Sequence, residues 1–163
     1  MALSLRLRSV ICQWYNPLML KLQRLFRILL IPMAVVLPAW VTLSHSGWLS
    51  IIYIFTFGPA VFVALLVIGF IISGRPDVKK SGLVSRPDVW LLGALYLSLL
   101  LFGFFVVDGG DTSESLNSVS MTVFGRGFEP ATELLQAWLG ISSILLAIIT
   151  FIFAIFERFK RHS

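Results

Sequence analysis

"LSIIYIFTFGPAVFVALLVIGFIIS", residues 49–73, runs for 25 residues without an Asp, Glu, Lys or Arg. A soluble core rarely needs so long an uninterrupted apolar run, whereas about 20 such residues carry a helix across a bilayer. Three further stretches, Ile28–Ser44, Val89–Val107 and Leu134–Phe156, are also free of charge. At about 1.5 Å of rise per residue, 28–44 reaches roughly 25 Å and 49–73 roughly 37 Å. Against a hydrocarbon layer about 30 Å thick, the first is short and the second is expected to tilt.

Composition agrees with this grouping. The chain is 58% hydrophobic and 13% charged, where soluble domains run at about 45–50% and about 25%. Its mean hydropathy is +0.92. The expected fold is therefore an all-α integral membrane protein with four transmembrane helices in an antiparallel bundle.

Orientation follows from the basic residues. Arg6, Arg8, Lys21, Arg24 and Arg27 precede the first span, and Arg75, Lys79, Lys80 and Arg86 lie between spans two and three. Arg158, Lys160 and Arg161 follow span four, so twelve of the thirteen Lys and Arg fall on one side and only Arg126 on the other. The positive-inside rule then predicts that both termini and the 74–88 loop are cytoplasmic. The outer loop, 108–133, has the opposite polarity through Asp108, Asp111, Glu114, Glu129 and Glu133. Trp40, Trp48 and Trp138 are expected near the outer interface, and Trp14, Tyr15 and Trp90 near the inner one. Basic charge of this kind faces anionic lipid, and the pI of 9.9 needs no nucleic-acid partner.

Residues 1–27 read as a cytoplasmic membrane-surface segment ahead of the membrane domain, 28–163. Between Pro17 and Arg27, Leu18, Met19, Leu22, Leu25 and Phe26 gather on one helical face and Lys21, Gln23, Arg24 and Arg27 on the other. Such a helix is expected to lie in the inner interface, with Lys21, Arg24 and Arg27 contacting anionic lipid. The acid-free start also matches a mitochondrial targeting segment. A bacterial cytoplasmic membrane is the favoured location and the mitochondrial inner membrane the alternative.

The loop between spans two and three contains one tetrapeptide twice, Arg75-Pro76-Asp77-Val78 and Arg86-Pro87-Asp88-Val89. Gly74 and Pro76 suit a helix end, and Ser85, Pro87 and Asp88 suit a helix start. Both copies thus read as helix punctuation, with a partner-docking loop as the alternative. Gly58-Pro59 is expected to kink span two, since Pro59 has no N–H for the carbonyl of Phe55, and Pro32 and Pro38 to loosen span one.

Span four carries a regular seam. Gln136, Gly140, Ser143, Ala147, Thr150 and Ala154 are spaced four and three alternately, so they share one helix face. Small residues allow close backbone approach, and Gln, Ser and Thr can hydrogen-bond across it. The seam is expected to pack either within the molecule or against a partner. Trp138, Ile141, Leu145, Ile148, Ile152 and Phe156 form the opposite, lipid-facing side. Gly93, Tyr96, Leu100 and Gly103 make a weaker counterpart in span three. In the outer loop, Phe124, Arg126 and Phe128 are contact candidates for a partner or the membrane interface.

No residue pattern points to catalysis, a cofactor or a metal. The spans hold no Asp, Glu or His, and Cys12 is the single cysteine, so the chain resembles neither disulfide-reoxidising enzymes nor carboxylate-driven multidrug antiporters. Ser142 and Ser143 have no base nearby in sequence. The expectation is a non-enzymatic protein acting through contacts in the membrane, as an accessory subunit or immunity-type protein, with a membrane protein partner or itself as homo-oligomer. The alternative is a small self-associating channel or transporter lined by the span-four seam.

Overall fold

A chain with so few polar side chains satisfies its backbone most cheaply inside helices, and every regular element among the described residues is helical. The computed structural model describes the backbone of residues 2–44, 51, 53–107, 118–125, 127 and 129–160, with side chains from residue 17 onward. Helix α1 spans Ala2–Leu43. A wide turn of π type, Tyr53–Phe57, leads into α2, Gly58–Ser73. A short α3, Pro76–Ser81, and a long α4, Arg86–Phe105, follow. Helix α5, Val119–Phe124, precedes α6, Glu129–Lys160. Four segments, Pro17–Leu43, Tyr53–Ser73, Arg86–Phe105 and Glu129–Lys160, are long and apolar enough to cross a membrane.

The helix starts are set by local chemistry. Ser85 is extended, and its hydroxyl accepts from the Asp88 amide while the Asp88 carboxylate accepts from the Ser85 amide, a reciprocal capping box. Pro87 fits the first turn because its missing N–H has no intrahelical partner there. Ser118 starts α5 by accepting from the Met121 amide at 3.0 Å. Gly82 closes α3 with φ +72°, a left-handed conformation suited to glycine.

Pro59 does not kink a continuous helix. It sits in the first turn of α2, directly after the wide turn. Widening the turn removes the need for a Pro59 donor, and a Cβ on Gly58 would stand 2.8 Å from the Tyr53 carbonyl oxygen. Helix α1 continues through Pro17, Pro32 and Pro38.

The long helices pack in a ring. Helix α1 lies on α2 and α4, and α6 also lies on α4 and α2. Leu30, Ala34 and Leu37 of α1 meet Leu65, Ile68 and Ile72 of α2 and Leu92, Leu95 and Leu99 of α4 in one buried cluster. The outward faces are also apolar: Ile28, Val35, Phe70, Leu97, Ile141, Leu145 and Ile152 are all exposed. This is the pattern of a protein solvated by hydrocarbon on its flanks.

Helix α1 differs from the sequence reading over residues 17–27. No break separates residues 17–27 from the first span. The packed stripe there contains Met19, Leu22, Gln23, Phe26 and Leu30, while Leu18 and Leu25 are exposed at 64% and 47%. The physical reason is Gln23, whose amide donates to the carbonyl of Val84 at 2.8 Å and so belongs to the packed side. Phe26 stacks on Tyr96 with ring centroids 6.0 Å apart.

Candidate functional site

The two Arg-Pro-Asp-Val copies meet. Gly74 ends α2 and Arg75, extended at φ −66° and ψ 138°, starts α3, so the first copy both terminates one helix and begins another. The second copy begins α4. The Arg75 guanidinium thereby reaches the Asp88 carboxylate, with both side chains withdrawn from solvent at 0% and 1% exposure. Arg75 Nη1 donates to Asp88 Oδ1 at 3.4 Å, and Nη2 donates to Oδ2. The same Oδ2 accepts from the Ser85 hydroxyl at 2.6 Å and the Ser85 amide at 3.0 Å. Arg75 Nε lies 4.0 Å from Asp77 Oδ1. Val78 and Val89, the last residue of each copy, are buried alongside.

This arrangement fixes the loop. Residues 74–89 are tied to α1 by Gln23, to α4 by Asp88, and to the core by Val78 and Val84. Sequence reasoning placed both copies at helix ends but missed their pairing. The available signal was the repetition itself, because two copies on one short loop put an arginine and an aspartate within mutual reach. Exposed cations surround the latch: Arg27, Lys79, Lys80, Arg86 and Arg158. A Cβ on Gly82 would stand 2.8 Å from Arg27 Nη1, and one on Gly74 3.9 Å from Arg158 Nη1. Lys21 and Arg24 are exposed on the same helix as Arg27.

The span-four seam faces α4 and the core. Gln136 Oε1 accepts from the Val107 amide at 2.9 Å, just past the end of α4. Gly140 lies against Phe102, whose ring carbon would be 3.2 Å from an added Cβ. Ser143 and Ser98 share a hydrogen bond of 2.7 Å, and Ser142 lies 3.2 Å from Ser98. Ser143 also donates to the carbonyl of Leu139 at 2.7 Å. Ala147 packs against the central cluster, Thr150 donates to the Leu146 carbonyl at 2.6 Å, and Ala154 is fully buried.

Helix α4 uses a different face for α1. Gly93 receives Phe26, and Gly103 receives Trp40, whose Nε1 would lie 2.6 Å from an added Cβ. Trp40 Nε1 donates to the Leu100 carbonyl at 3.0 Å. The glycines of span three are therefore sockets for the aromatics of span one, while the seam of span four meets Ser98 and Phe102.

Of the outer-loop candidates, Phe124 is 60% exposed and makes an edge contact with Phe104 at 6.2 Å. Arg126 and Phe128 lie outside the described residues, as do Asp108, Asp111, Glu114 and Trp48. Ser120 bridges Ser118 and Thr132 at 2.8 and 3.1 Å, joining α5 to α6. Trp90 and Trp138 are both exposed.

An apolar cavity of about 120 Å³ lies among all four long helices, lined by Pro38, Val41, Tyr53, Leu99, Phe102 and Gly140 among others. Among the described residues, no three His, Cys, Asp or Glu side chains are grouped as for a metal ion. Among the described residues the chemistry present is helix packing, a buried ion pair and exposed cations at one end of the helices. No family model, curated protein or solved structure matches the chain.

Proposed function

We propose that this is a multi-pass membrane protein whose helices form an antiparallel bundle with both ends and the 74–88 loop in the cytoplasm. It acts without catalysis, through protein contacts in the membrane, as an accessory subunit or immunity-type partner. The observation that carries this reading is where the polar side chains go. Arg75 is consumed by Asp88, Ser143 by Ser98 and Leu139, and Gln136 by Val107. Each joins one part of the chain to another, which favours a rigid scaffold over a site that turns over substrate or conducts. The polar members of the span-four seam, the lining a channel would have used, are already engaged: Gln136 on Val107, Ser143 on Ser98 and Leu139, and Thr150 on Leu146. What remains for recognition is outward: the apolar side of α6 with Trp138, Leu145 and Ile152, and the basic inner end.

Photocrosslinking in intact cells tests the proposal. A photoreactive side chain at Trp138, Leu145 or Ile152 should give one discrete protein adduct, shared by at least two positions, while the same group at Ser98 should give none. Adducts to lipid alone from all three outward positions would contradict an interaction role.

A further inference from the structure

Helices α2 and α6 pack more loosely than α1 on α2 or α4 on α6, and an apolar groove runs between them. Its outer part, about 250 Å³, is lined by Ala60, Ala64, Leu95, Leu99 and Ile144 among others. Its inner part, about 350 Å³, is lined by Ala64, Val67, Ile68, Ala147, Ile148 and Phe151. The two parts share Ala64, Ala147 and Ile148 and so are continuous. The lining is open to the flank of the protein, with Val67, Ile148 and Phe151 exposed at 40%, 50% and 38%. Ser143 is the one polar side chain along it, and its hydroxyl is already bonded to Ser98 and Leu139.

The inner end changes character. Arg158, about two helical turns beyond Phe151 on α6, places its guanidinium beside Gly74 at the end of α2. No described side chain pairs with Arg158, and the neighbouring Glu157 is engaged elsewhere in the protein. Lys79 and Lys80, on the α3 turn after Gly74, and Lys160 are exposed at the same end. From Ile144 to Arg158 the helix rises about 21 Å. One leaflet with its head groups is about 20–22 Å deep. The apolar groove, together with the roughly two helical turns from Phe151 to Arg158, spans about one leaflet. It leads to cations that no described side chain pairs, which matches a single amphiphile with an anionic head.

We propose that the α2–α6 groove binds an anionic phospholipid of the inner leaflet, one acyl chain lying along Ala64, Ile148 and Phe151 and the phosphate meeting Arg158. This rests on the cytoplasmic placement of the basic end. A transmembrane helix of a partner would want side-chain sockets at this depth, but not a phosphate-binding cation at its foot.

The full chain, extracted in non-ionic detergent, is offered phosphatidylglycerol, phosphatidylcholine of the same acyl composition, or glycerol phosphate, and retained ligand is measured by native mass spectrometry. One phosphatidylglycerol should be retained, phosphatidylcholine about fivefold less, as expected for one interfacial cation, and glycerol phosphate not at all. Arg158→Gln should lower phosphatidylglycerol retention about fivefold, the same single-cation effect, and Arg158→Lys should restore it. Ala64→Phe, at an exposed groove position, should reduce both lipids. Equal retention of the two lipids by the unaltered chain overturns the proposal. So does undiminished phosphatidylglycerol binding by Arg158→Gln. Reversed topology would instead overturn the placement on which the proposal rests, and is read out by labelling, not lipid retention.

Discussion

Arg75, the first residue of one tetrapeptide copy, and Asp88, the third residue of the other, form an ion pair with both side chains withdrawn from solvent. Each repeat donates one member. A buried pair of this kind carries a large desolvation penalty, and its net contribution depends on the remaining hydrogen bonds, which Ser85 supplies to the carboxylate.

Removing one partner should therefore cost more than removing both. Arg75→Met leaves Asp88 buried without its cation and should destabilise by roughly 3–5 kcal/mol. The double variant Arg75→Met/Asp88→Asn removes both charges while keeping a side chain that can accept from Ser85. It should recover at least about half of that loss, since neutral replacement of a buried pair is often tolerated. Unfolding in mixed micelles, followed by circular dichroism, gives the comparison. Equal stability of the single and double variants would show that the pair is not coupled.

Gly103 is expected to be intolerant because Trp40 occupies the space a side chain would need. Gly103→Ala should destabilise by about 1–3 kcal/mol, the usual cost of overpacking. Trp40→Leu should remove most of that penalty when combined with it, though it sacrifices the hydrogen bond to the Leu100 carbonyl. Additive losses in the double variant would place the strain elsewhere.

The α4–α6 contact predicts a graded series. Gly140→Leu drives a side chain into Phe102 and should sharply lower abundance in the membrane, whereas Ile152→Leu on the exposed side should not. Ser98→Ala should be milder, about 0.6 kcal/mol and at most about 1.7, the range for hydrogen bonds between membrane helices. Quantitative immunoblotting of membranes, with unfolding of the purified variants, ranks the three.

The apolar blocks made the four membrane-length helices legible from sequence, but not their ends. Hydropathy stopped span three at Val89, while the helix begins at Arg86 because Ser85 and Asp88 cap it. Span four extends to Glu129 and Lys160 because charged residues at a membrane edge are good helix formers. Pro59 was read as a kink within a helix, yet a widened turn before it lets it begin one. Face assignment over residues 17–27 failed at Gln23, where a specific hydrogen bond to Val84 outweighed the apolar pattern of Leu18 and Leu25. The small residues of span four were visible as a periodic stripe, but its counterpart was not: the stripe meets Ser98 and Phe102, while the glycines of span three serve span one. Pairing between the repeated tetrapeptides was signalled only by the repetition of Arg and Asp on one short loop, while the buried geometry depends on how tightly that loop folds.

The placement of the loop carrying Arg75 and Asp88 on the cytoplasmic side is the central claim, and impermeant thiol labelling of intact cells tests it most directly. With Cys12 replaced by Ser, a cysteine is introduced either at Ser81, exposed at the end of α3, or at Val123, exposed on α5. The account predicts that Val123→Cys reacts from outside, and that Ser81→Cys reacts only after the membrane is permeabilised. Labelling of Ser81→Cys in intact cells, with Val123→Cys protected, would contradict it.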